Sequence, residues 1–437
     1  MDSTTPQGPM HSSARLLQDL HKEATYCARN SIGYLILEDE ALKGNEITVA
    51  GKKVKNFGSC SYLGLELDPR LKQGAIEATQ KYGPAFSSSR AFLSSPLYRD
   101  LQGLLEQMFD LPLIIAPTTT LGHIAAIPSL IDVQDAVILD HQVHASVQNA
   151  VRIAKSAGTH VEMIRHSHLE NLEWRLEKLC KQYRNIWYCA DGVYSMFGDT
   201  LPTDGILQLL DQYDNFYTYI DDAHGVSWHG EKGKGVVLTQ VPHHEKMVVA
   251  GSMHKSFGSY GGILIFPSIE LRNFVNNTGS TMFFSGPIPN PSLGAGVQSA
   301  RIHLSDELPL LQDRLHQRIE QTNRLARELE LPLMAFEHTP IFFVGVSKAQ
   351  VGYKVVQKMH RRGFYLNIAT YPSVPIKNTG LRFTVTNHHT LADIEQMLHH
   401  LKESIDEALQ EEDFAYEEIY QAFSKIKPIP KKDSKVR

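Results

Sequence analysis

Lys255 stands in the run Gly-Ser-Met-His-Lys-Ser-Phe-Gly-Ser-Tyr-Gly-Gly, between an apolar segment and a glycine-rich turn. Taken alone it is a solvated charge, but a lysine in that position is partly desolvated, which favours the neutral amine. A neutral amine is the nucleophile that Schiff-base chemistry requires. Ser252, just before it, offers a hydroxyl to an anion such as a phosphate. Asp221 ends another apolar run, where a carboxylate needs a cation or hydrogen-bond donors. Other apolar runs are followed by Asp140 and His144, by Asp191 and Ser195, and by Asp222 and His224. Together these residues form one chemical set, an amine among acid–base groups and hydroxyls. Carboxylate and imidazole types also suit a metal, but His141, His144, Asp221 and His224 have no compact ligand spacing.

Short apolar runs at 136–139, 186–190, 216–220, 247–250 and 263–266 carry these residues at their ends. Each is too short for a helix and rich in Val, Ile or aromatic residues, so each predicts a buried strand. Ser167-His168-Leu169-Glu170 reads as a capping box, followed by Leu172, Leu176 and Leu179 on one helical face. A second helical pattern at 207–213 precedes the strand at 216, so the middle of the chain predicts β-α units. The fold class is therefore α/β, a mostly parallel sheet covered by helices, and ligands of such sheets gather beyond the strands' carboxyl ends. After residue 290 a helix at 308–329, a strand at 341–346, a further helix, a strand at 381–386 and a helix at 390–409 predict a smaller C-terminal α+β domain. The expected division is an N-terminal arm and small segment at 1–57, a large domain at 58–290, a small domain at 291–411 and a charged tail at 412–437.

A chain of 437 residues with 42% hydrophobic content can bury one large core and a smaller one. Its net charge of -5, with Lys and Arg scattered, argues against nucleic acid as a partner. The four cysteines form no C-x-x-C pair, which fits a reduced, cytoplasmic chain. The polar start has no secretory h-region. The richest apolar stretch, 111–131, is broken by Pro117, three threonines and His123, so no transmembrane segment is expected.

Asp221-Asp222-Ala223-His224-Gly225, then Gly230, Gly233 and Gly235, then Ser252-Met253-His254-Lys255 with Gly258, Gly261 and Gly262, resembles the core signature of the α-oxoamine synthases. Further matches follow in the family's order: Tyr62-Leu63-Gly64-Leu65, Asp140 with His144-Ala145-Ser146, Tyr194-Ser195-Met196 with Gly198-Asp199, and Leu381-Arg382-Phe383 with His389-Thr390. Their joint occurrence is far more specific than any one of them. The resemblance implies the fold type I architecture of pyridoxal 5'-phosphate (PLP) transferases. It also implies condensation of an amino acid with an acyl-CoA, and a homodimer with active sites at the subunit interface.

By the same resemblance Lys255 forms the Schiff base with PLP and later moves the substrate proton. Asp221 pairs with the pyridine nitrogen, His144 stacks on the ring, and His224 and Ser195 reach the phenolic oxygen. Ser252 serves the phosphate, and Arg382 grips the substrate carboxylate. The sequence departs from the family's pattern at several positions. Thr118-Thr119-Thr120, with His123, stands where Ser-Gly-aromatic and then Asn is usual, and is aligned to the phosphate. Ser285-Gly286 replaces the hydroxyl pair that reaches the phosphate from the neighbouring subunit. Cys60 replaces an Asn that contacts substrate, and a serine-rich stretch, Ser87 to Ser89 with Arg90, lies where the acyl thioester approaches. That stretch is also similar to the autoinducer-type aminoketone synthases. Another fold type I aminotransferase or decarboxylase would share Lys255 and Asp221, whereas a catalytically silent partner subunit would tend to lack the lysine.

Overall fold

The computed structural model describes residues 12–85 and 87–423, so the outer parts of the expected arm (1–11) and tail (424–437) lie outside the described residues. Near the N-terminus β1 (Glu46–Val49) and β2 (Lys52–Asn56) pair antiparallel. Ala50 and Gly51 turn the chain between them at φ 50 and 69, the positive-φ pair that a tight hairpin demands.

The main sheet contains β3 (Leu113–Ala116), β4 (Ala136–Asp140), β5 (His160–Ile164), β6 (Ile186–Asp191), β7 (Phe216–Asp221), β8 (Met247–Ser252) and β9 (Gly262–Ile265). Their order across the sheet is β3-β9-β8-β7-β6-β4-β5. Every neighbouring pair is parallel except those made by β9, which runs antiparallel to β3 and to β8. The strands β4, β6 and β8 are buried at every position, which is why their sequences are unbroken apolar runs. The five expected strands are all present. Sequence reading missed β5, which lies at the sheet edge with His160, Val161, Glu162 and Met163 partly or well exposed, so it carries no continuous apolar run. It also missed β3, because those four apolar residues run on into a helical stretch.

The expected capping box at Ser167 is replaced by a cap one residue later. Ser167 adopts a left-handed φ of 49 and its amide donates to the Asp140 carboxylate at 2.7 Å. That tertiary bond keeps Ser167 outside the helix Leu169–Leu179, and the His168 ring accepts from the Asn171 amide instead. The helix Asn290–His303 packs against Pro69–Tyr82 in the larger unit, where a Cβ at Gly294 would come within 2.2 Å of the Gly74 carbonyl oxygen. Only glycine on both helices allows that approach.

The C-terminal region contributes β10 (Ile341–Ser347), β11 (Phe364–Tyr365), β12 (Asn367–Ala369) and β13 (Thr379–Thr384). An antiparallel sheet in the order β10-β13-β12 is covered by the helices Glu307–Glu328, Ala349–Arg361 and Leu391–Glu411. The short β11 pairs in parallel with β2, and Cys27, Ile32 and Phe57 share one core with Phe343, Val355 and Leu398. The described part of the N-terminal segment is therefore built into the small domain. So is the start of the expected charged tail: the helix Tyr416–Phe423 packs on β10 and buries Ile419 and Phe423. Among the described residues no helix is long and apolar enough to cross a membrane.

Candidate active site

The loop between β8 and β9 is pinned at its base, with the Met253 amide donating to Gly261 O and the Ser259 amide to Met253 O, both at 2.9 Å. Gly258 turns it at φ 74 beneath Leu65 and Glu66, where a Cβ would meet backbone at 2.9 Å. Lys255 is presented from this loop, half-buried. Burial pushes its ammonium below the ordinary lysine value, opposed first by the charge of Asp221. The amine is thus shifted toward the nucleophilic form.

Asp221 ends β7 and is 5% exposed. One carboxylate oxygen accepts from the Ala223 amide at 3.1 Å, and the other lies 2.9 Å from His123 Nε2. Burial pushes this carboxyl up, but the adjacent His123, then Lys255 and His144, outweigh it and hold the group below the usual carboxylate range. Asp191 is its neighbour across the β6–β7 pairing. Burial and then the charge of Asp221 push Asp191 up, and it accepts the His144 amide at 3.0 Å. His144 caps the helix Ala145–Ser156, with Nδ1 2.6 Å from Ser146 Oγ, and leaves its ring open to solvent. Desolvation lowers its pKa, so the ring is neutral at neutral pH.

His224 is buried with Nδ1 2.7 Å from the Tyr62 hydroxyl, and burial, then Lys255, hold it well below its ordinary value. Arg382 enters from β13 of the small domain. Its Nε donates to Ser195 O at 2.6 Å and its Nη2 to Cys60 Sγ at 3.7 Å. Cys60, Ser195 and Arg382 therefore meet on one wall.

The hydroxyls aligned to a phosphate gather at a second corner. Thr118 caps the helix Thr119–Leu130 by accepting from the Leu121 amide at 3.0 Å. Thr119 donates to Gly251 O at 3.1 Å, Thr120 is exposed, and Ser252 accepts the His254 amide at 3.2 Å. Gly262 permits the corner, because a Cβ there would lie 2.6 Å from Thr119 backbone atoms. A helix N-terminus with hydroxyls around it suits an anion.

Two expected residues are used elsewhere within the chain. Arg90 donates to Ile115 O at 2.7 Å and lies over the Tyr98 ring at 4.1 Å. The Ser285 hydroxyl donates to Thr281 O at 2.6 Å. Conversely, sequence reading gave no role in this cleft to Tyr62 or Tyr219, named Asp191 only among the strand-end groups, and aligned His123 only with the phosphate stretch. The signal for His123 was its place in the first turns of a helix that starts at that stretch, which turns it toward the end of β7. A further cluster supports the cleft from behind. His166 sits between Asp140 at 3.0 Å and Asp199 at 2.6 Å, and joins the end of β4 to the turn that carries Ser195.

The sequence profile of the family "Aminotransferase class I and II" matches residues 111–401. The chain is 30% identical over 365 residues to a putative 8-amino-7-oxononanoate synthase of Microcystis aeruginosa, covering 83% of this chain and 91% of that protein. It is 28% identical over 372 residues to a serine palmitoyltransferase of Bacteriovorax stolpii, covering 84% of this chain and 86% of that protein. A serine palmitoyltransferase solved with its PLP internal aldimine superposes with a TM-score of 0.82 at 21% identity, over 91% of this chain and 99% of that one.

Proposed function

This chain belongs to the aminotransferase class I and II family, in its α-oxoamine synthase branch, and on that premise we propose that it joins an L-amino acid to an acyl-CoA. It is a PLP-dependent acyltransferase of fold type I. The products in this reading are an α-aminoketone, free CoA thiol and carbon dioxide. The bond between Cα and the acyl carbon forms, the acyl carbon–sulfur bond breaks, and the carboxylate leaves as carbon dioxide.

The residues fit the cofactor. Lys255 is a half-buried amine shifted toward its neutral form, Asp221 is ionised in a buried position, and a helix N-terminus with Thr118, Thr119, Thr120 and Ser252 forms an anion corner. When bound, PLP supplies an electron sink that weakens the Cα–H bond of the amino acid. Lys255 Nζ would hold the cofactor, and as a neutral amine it would be the base for the Cα proton. Asp221 would pair with the pyridine nitrogen. His224 and the Ser195 hydroxyl would serve the phenolic oxygen, and His144, with its ring exposed, would cover one ring face. Arg382 takes the substrate carboxylate with its Nη atoms, its Nε being held by Ser195 O. Cys60, in contact with Arg382 at 3.7 Å, would lie beside that carboxylate and bear on which amino acid fits. In the homodimer that the family resemblance implies, Ser285 would reach the phosphate site of the neighbouring subunit, and Arg90 would shape the approach of the thioester.

The observation that carries the proposal is a desolvated amine, a buried ionised carboxylate and a guanidinium converging on one cleft from three separate elements. The test is to load the protein with PLP, record its visible spectrum, and screen amino acids with acyl-CoA chain lengths for thiol release. A band from lysine-bound cofactor, lost in Lys255→Ala with the fold intact, and release of thiol only when both substrates are present are expected. A spectrum without the band would overturn the cofactor assignment. Amino transfer to a keto acid without thiol release would replace condensation with transamination.

A further inference from the structure

Behind Asp221 lies a buried polar chain that the reaction itself does not use. His123 is 0% exposed and Tyr219 is 0% exposed. The Tyr219 hydroxyl lies 2.8 Å from His123 Nδ1, and His123 Nε2 lies 2.9 Å from Asp221 Oδ2. Tyr219 belongs to an apolar cluster with Val137, Leu139, Cys189, Val248 and Ala250. Among the described residues its hydroxyl has no other hydrogen-bond partner.

This leaves one consistent placement of protons. A buried phenol places its proton on an acceptor, and here the acceptor is Nδ1. Nδ1 then carries no proton of its own, so Nε2 carries the ring's single proton and donates it to Asp221. The other Asp221 oxygen receives the Ala223 amide. The carboxylate is thus fixed by two neutral donors, and its full negative charge remains for whatever cation meets it in the cleft. An imidazolium at position 123 would instead cancel that charge. An asparagine, the residue expected here from the α-oxoamine synthase pattern, would give a single amide donor in place of the imidazole.

We propose that Tyr219 fixes His123 as its neutral Nε2–H tautomer, making His123 a positioning residue that holds Asp221 charged and aimed at the pyridine nitrogen of bound PLP. The pair Tyr219–His123 thereby sets how strongly the ring draws electrons from the substrate. This rests on the PLP reading of the cleft. Besides His123, the titratable groups that face Asp221 are Lys255 and His144 from the cleft and Asp191 from the neighbouring strand.

The test titrates the visible band of the loaded protein against pH and measures the PLP dissociation constant, for the unmodified protein and for Tyr219→Phe, His123→Asn and His123→Leu. Tyr219→Phe frees Nδ1 for a second proton and is expected to shift the midpoint of the band by on the order of one pH unit. His123→Leu is expected to shift it at least as far and to weaken PLP binding by about tenfold or more. His123→Asn, which retains one donor, is expected to fall between His123→Leu and the unmodified protein. A purely structural pair would lower thermal stability while leaving midpoint and affinity unchanged, and that outcome in Tyr219→Phe and His123→Leu overturns the proposal. If His123→Leu does not fold, Tyr219→Phe, which removes a single oxygen, decides alone. No band in the unmodified protein would overturn the cofactor reading first, and so is distinguishable from failure of the His123 role.

Discussion

Asp221 and Asp222 are consecutive carboxylates in one buried turn, and their surroundings drive them in opposite directions. Asp221 has His123, Lys255 and His144 around it and stays ionised. Asp222 has one oxygen on the Val237 amide at 3.1 Å and the other without a partner, so burial, with Asp221 adding to it, pushes its pKa up to about 8. A carboxyl raised in the folded state holds a proton that the unfolded chain has already lost. Stability therefore falls as pH rises from the ordinary carboxylate range to about 8 and then levels off. Asp222→Asn removes that penalty and is expected to raise the melting temperature at pH 8 by about 5 °C or more, with little change at pH 4. Thermal melts of both proteins at the two pH values check it. Lys255 could be singled out from sequence because a strand and a glycine-rich loop flank it. The contacts of Tyr62, His123 and Tyr219 could not, because each is made with a partner far away in the chain.

At the level of elements, His166 ties together the carboxyl end of β4, the loop after β5 and the turn after β6. Burial would lower its pKa, but hydrogen bonds to Asp140 and Asp199, and then their charges, outweigh burial and raise it to about 9. A histidine raised in the folded state contributes stability that is fully present below its unfolded value and is lost as pH climbs through about 9. His166→Gln is expected to cost about 3 kcal/mol at pH 6, with the gap closing by about pH 10, as read by urea unfolding at each pH. The clamp also steadies the turn in which the Tyr194 amide bonds Asp199 O at 2.9 Å and Ser195 O holds Arg382. The same variant should therefore raise the KM for the amino acid more than it lowers kcat. Elements buried on both faces were legible as apolar runs. Those set by a tertiary contact were not: the helix cap displaced to His168 by the Ser167–Asp140 bond, the edge strand β5, and the helix Tyr416–Phe423, whose two buried apolar anchors sit in an acidic stretch.

Across the whole molecule the cleft lies between two cores. Lys255, Asp221 and His144 come from the ends of the main sheet, while Arg382 comes from the small domain and Tyr62 packs in that domain's core. The N-terminal helix Ser12–Arg29 is fastened to the small domain through Glu23, which accepts from the Tyr353 hydroxyl at 2.6 Å and from Thr370 Oγ1 at 2.7 Å. Glu23→Ala is expected to loosen that helix by about 2 kcal/mol and to speed modification of the buried Cys27 several-fold. Timed thiol labelling, followed by mapping of the modified cysteine, checks it. The sequence pattern led to an expected large and small domain, with the N-terminal segment left apart from both. A parallel strand pair as short as β2 with β11 leaves no periodic trace in either segment.

The antiparallel strand β9 lies between β8, its neighbour in the chain, and β3, which is far earlier in sequence. Joining β3 is thus a long-range closure whose loop entropy delays it, so the threonine corner meets Ser252 and Lys255 late in refolding. A half-folded chain that holds the central strands would then lack the corner formed by Thr118, Thr119 and Ser252. Added PLP is therefore expected to leave the early phases of stopped-flow refolding unchanged while slowing unfolding, since it binds only the closed native state.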